Sequence, residues 1–167
     1  CVGLTGSQAG ILSDSAYGNA TIKSVYTNNI LNYLNENYIV VVAGFQASDR
    51  FGNVTTLGRG GSDLSAVAIA SALNAKKCEI YSDIDGVFSA DPKIITRAKL
   101  LKKISYNEML EAASAGAKVL HNRSVHMGKK NSMPIYVKNS GNNSKGTIVT
   151  NTNSHKCRDS FSKEEDF

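Results

Sequence analysis

The sequence predicts an α/β fold in which helices pack in layers against a mainly parallel sheet. Strand-like and helix-like segments alternate along the chain, which is typical of layered α/β domains. Residues 39–45 form a continuous apolar run with β-branched side chains at its start, which is typical of a parallel strand buried on both faces. With 167 residues, of which 41% are hydrophobic, the chain is long enough for one domain with a core.

In the first half of the chain, the pattern predicts strands at residues 4–11 and 21–25, a helix at 27–35, a central strand at 39–45 and a helix at 64–73. The first helix places Ile30, Leu31 and Leu34 on one face. The second is rich in Ala and Ser, which allow close packing on a sheet. Between them, a Phe-Gly-Asn sequence predicts a hairpin tip at 49–53.

In the second half, the pattern predicts a buried strand at 78–81, helices at 105–115 and 125–131, and strands at 135–137 and 147–149. Ser105 followed by Glu108 is a capping-box pattern, which marks a helix start. The second helix ends before Pro134, because proline cannot continue a helix. Residues 151–167 are polar and mixed in charge, and they are predicted to form a tail or linker after a domain at 1–150.

Composition excludes several classes of protein and site. No stretch approaches the roughly 20 apolar residues of a membrane span. The three cysteines are far apart and form no C-x-x-C pair, which favours a reducing, cytoplasmic setting. His121 and His126 are five residues apart and do not share a helical face, so no metal site is predicted.

The net charge of +5 is concentrated between Lys93 and Lys145, where only Glu108 and Glu111 oppose the lysines and arginines. Such a face attracts nucleic acid or a small polyanion such as a nucleotide. No aromatic interleaving and no nucleic-acid motif accompanies these charges, so nucleic acid is not predicted as a partner.

Residues 55–63, Thr-Thr-Leu-Gly-Arg-Gly-Gly-Ser-Asp, are a candidate anion site. The glycines allow a sharp turn and a close approach of the backbone to a ligand. Ser62 and Asp63 follow where a helix begins, and backbone N–H groups and the helix dipole favour an anion there. Arg59 adds a planar guanidinium suited to a carboxylate or phosphate. The alternative is a plain turn with Ser62 or Asp63 as an ordinary N-cap.

Residues 80–92, Ile-Tyr-Ser-Asp-Ile-Asp-Gly-Val-Phe-Ser-Ala-Asp-Pro, are a second candidate site. The loop 82–86 leaves the carboxyl end of a predicted strand, where ligands of open α/β sheets bind. Asp83, Asp85 and Asp91 are suited to sugar hydroxyls, ammonium groups or magnesium-bound water. For Asp85 and Asp91, a role as turn formers before Gly and Pro is an equal alternative. Asp83 is interpreted as functional.

These motifs resemble those of the aspartate kinases, in the amino acid kinase superfamily. The matching elements agree in order and spacing, over about residues 1–150, and are 6–11 (GSQAGI), 55–63 (TTLGRGGSD), 82–92 (SDIDGVFSADP) and 116–121 (GAKVLH). Uridylate and glutamate kinases carry strings similar to 82–92, whereas LGRGGSD followed by GAKVLH is much more specific. The resemblance implies a three-layer αβα sandwich with a mainly parallel sheet, incomplete at the N-terminus of this chain.

The resemblance also implies a reaction and its residues. ATP phosphorylates the side-chain carboxylate of L-aspartate, with Mg²⁺ held mainly through the ATP phosphates, as the first step toward lysine, threonine and methionine. Arg59 and Asp63 are implied as catalytic, with Arg59 clamping a substrate carboxylate, and the substrate site is completed by Gly60, Gly61 and Ser62. The residues implied to bind ATP are Ser82, Asp83, Phe88, Lys93, Lys118 and Val119, with Lys93 standing where the family usually has Arg.

The family also has parts that this sequence does not show, namely an opening strand with a lysine- and glycine-rich turn and paired regulatory ACT domains. The chain is therefore interpreted as the nucleotide-side portion of a catalytic domain, with little activity alone, from a protein that forms homodimers. The alternatives are a superfamily kinase for glutamate, acetylglutamate or uridylate, and a non-catalytic nucleotide-binding half of a split kinase. The enzyme interpretation requires Arg59 and Asp83 to open onto one cleft.

Overall fold

The computed structural model describes residues 1–117 and 119–151, and it confirms the α/β class. The chain forms two compact units that divide between Cys78 and Glu79. Parallel and antiparallel strand pairs both occur among the described residues, so the pairing is mixed. Among the described helices, none combines the length and the hydropathy that crossing a bilayer requires.

The first unit contains two sheets and two helices. Its elements are β1 (Val2–Leu4), β2 (Ile11–Ser13), β3 (Ile22–Val25), α1 (Asn28–Asn35), β4 (Val40–Val42), β5 (Gln46–Ser48), β6 (Val54–Thr56) and α2 (Gly61–Ala72). β1 and β4 pair in parallel, and the other sheet has the order β3-β2-β5-β6. β5 and β6 pair antiparallel, which confirms the hairpin with its tip at 49–53.

The single strand predicted over residues 4–11 is wrong, because residues 5–10 form a turn between β1 and β2. The turn is closed by backbone hydrogen bonds from Ala9 to Thr5 (2.9 Å) and from Ile11 to Gly6 (3.0 Å). Gly10 has φ 79°, a left-handed conformation that breaks the extended chain. The apolar residues at both ends of the segment belong to two different strands.

Within the run 39–45, the parallel strand β4 covers only Val40–Val42, and the predicted burial on both faces is wrong. Ile39 and Val41 are 73% and 57% exposed, and in the described residues β4 belongs to a sheet of two strands. Helix α1 is confirmed, and of the three residues predicted to share its apolar face only Ile30 is buried. The core of this unit lies instead under the second sheet and α2, with Ile11, Ala47, Leu57 and Val67 fully enclosed.

In its described residues, the second unit contains one sheet of four strands and two helices. Its elements are β7 (Cys78–Ser82), which starts at the division, β8 (Lys103–Ser105), α3 (Tyr106–Ser114), α4 (Asn122–Lys130), β9 (Ile135–Asn139) and β10 (Thr147–Thr150). The strand order is β7-β9-β10-β8, with β10 parallel to β8 and antiparallel to β9. The strand β8 was not predicted, since three residues are too few to show an alternating pattern.

The two helices of this unit lie close to the positions predicted from short sequence motifs. The capping box is confirmed: Ser105 Oγ accepts the Glu108 N–H (3.1 Å), and Glu108 Oε2 accepts the Ser105 N–H (2.9 Å). Helix α4 begins earlier than predicted because His121 acts as its N-cap, with Nδ1 accepting the Arg123 N–H (3.4 Å). The predicted tail, apart from Asn151, lies outside the described residues.

Candidate functional site

In the first unit, the loops after β1 and β4 lie at the same edge, because the two strands run parallel. The loop after β4 joins the start of α2: the Phe45 N–H donates to Ser65 Oγ (3.3 Å), which donates to the Ser62 carbonyl (2.8 Å). The Phe45 carbonyl accepts the Leu57 N–H (2.9 Å). The glycine-rich loop is therefore held between Phe45 and α2.

The start of α2 excludes the interpretation of Ser62 or Asp63 as N-cap. Gly60 is the N-cap, with φ 69°, and no side chain caps the helix; Ser62 and Asp63 lie within its first turn. A Cβ on Gly61 would lie 2.9 Å from the Leu57 Cβ, closer than real Cβ contacts, so the loop needs glycine there. Backbone N–H groups at an uncapped helix start are available to an anion.

The side chains around this helix start differ in exposure. Arg59 and Ser62 are exposed, Asp63 is half-buried and Gly61 is buried. The exposed guanidinium can therefore reach a carboxylate or phosphate held by the first-turn N–H groups. The structure brings the sequence-predicted substrate residues 59–63 together on one turn, as their adjacency requires.

A groove of about 600 Å³ also lies in this unit, between β4 and α2. Its polar end is formed by Gly44, Ser62 and Ser65, and the remaining lining is apolar, from Val40, Val42, Ala66, Ile69, Ala70, Leu73 and Ala75. Among the predicted substrate residues, Ser62 contributes to this lining and the others do not. The candidate anion site is thus the glycine-rich turn and not the apolar groove.

In the second unit, Ser82 is the last residue of β7 and Asp83 opens the following loop. The Ser82 carbonyl accepts hydrogen bonds from the Ser140 N–H (2.8 Å) and Oγ (3.0 Å). Ser82 Oγ donates to Asp83 Oδ1 (3.0 Å), and Asp83 is exposed. A hydroxyl and a carboxylate therefore lie side by side at the end of a strand, where they can contact a ligand.

Asp85 and Asp91 are both engaged within the protein. Asp85 Oδ1 accepts the side-chain amides of Asn139 and Asn142, both at 2.8 Å, and these bonds, Asn142 first, lower the pKa of Asp85. Asp91 Oδ1 accepts the Lys93 N–H (2.9 Å), which closes the turn at Pro92. The geometry favours the turn-forming alternative for Asp91, and it gives Asp85 a structural role between two loops that are distant in the sequence.

The remaining predicted nucleotide residues are spread along the second unit. Phe88 is half-buried and forms an isolated antiparallel β-bridge with Leu100. Lys93 is exposed, and Val119 is half-buried. Lys118 lies outside the described residues. Across 1–117 and 119–151, no group of three His, Cys, Asp or Glu side chains is placed to hold a metal ion.

Sequence reasoning missed two parts of these sites. Phe45 supports the glycine-rich loop, and its signal is Gly44 immediately before it, at the end of an apolar strand. The polar residues 139–142 contact the loop after β7, and their signal is the Asn-Ser-Gly-Asn sequence that follows a predicted strand. Both segments follow strands, which is where ligand-binding loops of α/β sheets occur.

Comparisons with known proteins agree with the motifs. The amino acid kinase family matches residues 2–139. Aspartokinases of Helicobacter pylori and Geobacillus stearothermophilus are 55% and 51% identical over 148 residues, which are 89% of this chain and 36% of each relative. A crystal structure of E. coli aspartokinase III in complex with aspartate and ADP matches with a TM-score of 0.83 and 31% identity, over 92% of this chain and 35% of that one. These findings confirm the resemblance seen in the motifs, and this chain spans about a third of its relatives' length.

Proposed function

Because the chain belongs to the amino acid kinase family, we propose that its protein phosphorylates the side-chain carboxylate of L-aspartate with ATP. The observation that carries the proposal is the uncapped, glycine-rich start of α2 beside the exposed Arg59. Identity to aspartokinases over 89% of the chain supports the choice of substrate. The product is 4-phospho-L-aspartate, an intermediate on the way to lysine, threonine and methionine, made in the cytoplasm by a homodimer.

The reaction needs positioning more than proton transfer. An aspartate side chain has a pKa of about 3.9 and is ionised at neutral pH, so it attacks without a general base. A carboxylate oxygen forms a bond to the γ-phosphorus, the bond from that phosphorus to the bridging oxygen breaks, and ADP leaves. The protein contributes by aligning the two substrates and neutralising charge.

The glycine-rich turn binds the amino acid. Arg59 holds one substrate carboxylate with two parallel N–H···O bonds, and the N–H group of Ser62 adds a further donor, whereas the Gly61 N–H closes the turn onto the Gly58 carbonyl (2.9 Å). Gly60, with its left-handed conformation, lets the backbone approach the substrate closely. Asp63, in the first turn of α2, orients the substrate or the reacting groups.

The loops of the second unit bind ATP. Ser82 and Asp83 contact the adenosine part, Phe88 and Val119 line its pocket, and Lys93 and Lys118 neutralise phosphate charge. The described donor set, without a three-ligand cluster, fits a Mg²⁺ ion coordinated largely by phosphate oxygens and water. When bound, Mg²⁺ supplies further neutralisation of the phosphate charge.

The test measures phosphotransfer from ATP to L-aspartate in the native protein that carries this sequence. Arg59→Ala should raise the KM for aspartate about 10- to 100-fold, because hydrogen bonds to charged groups contribute about 1.5–3 kcal/mol. The control is Arg50→Ala at the hairpin tip, where the guanidinium stacks 4.6 Å from the Phe51 ring. Equal effects of the two variants, or better turnover of glutamate, acetylglutamate or uridylate than of aspartate, would contradict the proposal.

A further inference from the structure

Hydrogen bonds from the loop after β9 hold the loop after β7 in place. We call this set the Asp85 brace, and it consists of Asp85, Asn139, Ser140 and Asn142. Two side-chain amides donate to the same carboxylate oxygen, Asp85 Oδ1, each at 2.8 Å. Bonds to an ionised acceptor are shorter and stronger than neutral ones, so the brace is a firm connection for a surface loop.

The Asp85 brace also forms hydrogen bonds with the main chain of Ser82 and Asp83. Ser140 donates from both its N–H (2.8 Å) and its Oγ (3.0 Å) to the Ser82 carbonyl. Asn139 Nδ2 lies 3.4 Å from the Asp83 carbonyl, and Asn139 Oδ1 is fixed by the Gly141 N–H at 2.7 Å. The main chain at Ser82 and Asp83 is therefore held by its carbonyls, while the Ser82 hydroxyl and the Asp83 carboxylate bond to each other.

The far end of the same loop is anchored independently. The Val87 N–H donates to Thr147 Oγ1 (2.8 Å), and that hydroxyl donates to the Leu101 carbonyl (2.6 Å). Gly86 has φ 140°, and a Cβ there would lie 2.5 Å from Thr147 Oγ1. The loop that starts at Asp83 is thus fixed at both ends, although Asp83 itself is exposed.

We propose that the Asp85 brace is a set of positioning residues that presents Ser82 and Asp83 to the adenosine part of ATP. The inference rests on the proposed function, because it assigns the brace a role at the same nucleotide site. A ligand-binding loop held in its binding conformation before the ligand arrives loses less conformational freedom on binding. A brace that served stability alone would change the melting temperature but not the affinity for ATP.

The experiment first breaks the hydrogen bond between Asn139 and Asp85 and then exchanges its donor and acceptor side chains. Asn139→Asp removes the amide donor and sets a second carboxylate against Asp85, while the acceptor for the Gly141 N–H is kept. In the native protein, this variant should weaken ATP binding by at least about 10-fold, measured as Kd by calorimetry and as KM, because a charged hydrogen bond becomes a repulsion. The kcat and the KM for aspartate should stay within about twofold of the wild type, because the other substrate site is untouched.

Two further variants make the result specific. Asp85→Asn combined with Asn139→Asp restores an amide and a carboxylate with exchanged roles, and it should recover most of the ATP affinity. Asn143→Asp is the matched control: it makes the same charge change at an exposed position in the same loop, outside the brace. It should bind ATP like the wild type.

Each outcome decides a different question. If the wild-type protein binds no ATP, the proposed function and this inference both fail. If the wild type binds ATP but Asn139→Asp weakens it no more than Asn143→Asp, or the double variant shows no recovery, only the Asp85 brace is refuted. Should Asn139→Asp not fold, Asn142→Ala decides, and an ATP affinity equal to that of Asn143→Ala would overturn the proposal.

Discussion

Asp49 is a buried carboxylate that accepts several hydrogen bonds within and around the β5–β6 hairpin. It is 2% exposed, and its oxygens accept the N–H groups of Phe51 and Asn53 (both 2.9 Å) and the hydroxyls of Ser15 and Tyr17 (both 3.1 Å). Burial works to raise the pKa of Asp49, but the hydrogen bonds, led by those of Asn53, lower it to about 2. The hairpin leads through β6 into the glycine-rich loop, so this carboxylate supports the candidate substrate site.

The lowered pKa of Asp49 predicts an acid-sensitive contribution to stability. Its folded pKa of about 2 lies below the ordinary 3.8, so the stabilisation is complete above pH 4 and is lost as the pH falls toward 2. Asp49→Asn should therefore unfold more easily at neutral pH and show a shallower loss of stability between pH 4 and pH 2. Urea unfolding of the wild type and the variant at a series of pH values measures this, and equal slopes in the two proteins would contradict the prediction.

The lysine at position 93 predicts a weaker affinity for ATP than an arginine at the same position would give. It is exposed, on the turn closed by Asp91, and it stands where the aspartate kinase pattern usually has Arg. A lysine supplies a point charge, whereas an arginine can bind a phosphate with two N–H groups. Lys93→Arg should lower the KM for ATP several-fold, and Lys102→Arg, also exposed, should not. An unchanged KM for ATP in Lys93→Arg would remove the phosphate role of this position.

At the scale of single elements, a short sequence motif predicted a helix start correctly where its side chains bond to the backbone of that same helix. The Ser105–Glu108 capping box forms as predicted, and the Ser105 side chain lowers the pKa of Glu108. The start of α2 was harder to predict, because Gly60 takes the N-cap position and leaves Ser62 inside the helix. Polar residues before a helix do not identify the cap when a left-handed glycine precedes them.

The capping box predicts a defined loss of stability. Ser105→Ala removes the acceptor for the Glu108 N–H and should lower the free energy of unfolding by about 1 kcal/mol, as typical N-caps do. Ser114→Ala, at the exposed end of the same helix, should change it much less. Urea unfolding of both variants at pH 7 gives the comparison, and equal losses would contradict a specific capping contribution.

At the scale of the whole molecule, the two candidate sites lie in different units. Arg59 belongs to the first unit and Asp83 to the second. Each site is built within its own unit, from a loop that follows a strand. Their opening onto one cleft, which the enzyme interpretation requires, stays a prediction.

The exposed face of β4 predicts self-association of this chain. Val41 in β4 and Ile39 directly before it are exposed, and in the described residues the sheet of β4 has two strands. Exposed β-branched strands pair with other chains. Sedimentation of the 167-residue chain should show association that grows with concentration and that Val41→Lys reduces. Ile94→Lys changes a side chain that is 79% exposed but lies in a loop, and it should have no such effect. A monomer at all concentrations would contradict this prediction.

The sequence by itself determined the α/β class, most element positions and the two motifs, because these depend on the periodicity of apolar residues and on glycines at fixed spacing. It also determined the resemblance to the aspartate kinases, since that depends on the order of short motifs. The exposure of β4 and the split of residues 4–11 into a turn between two strands were decided by tertiary structure. A local apolar pattern cannot show which faces are covered or where a turn interrupts the run.

Only the tertiary structure decided which acidic residues are exposed and which are held within the protein. Asp83 and Asp85 are two positions apart and look alike in the sequence, yet Asp83 is exposed and Asp85 is held by Asn139 and Asn142, more than fifty residues away. These hydrogen bonds join segments that are distant in the sequence, and no local pattern shows that the two segments meet. The sequence named the candidate residues, and the tertiary structure separated an exposed candidate from a structural support.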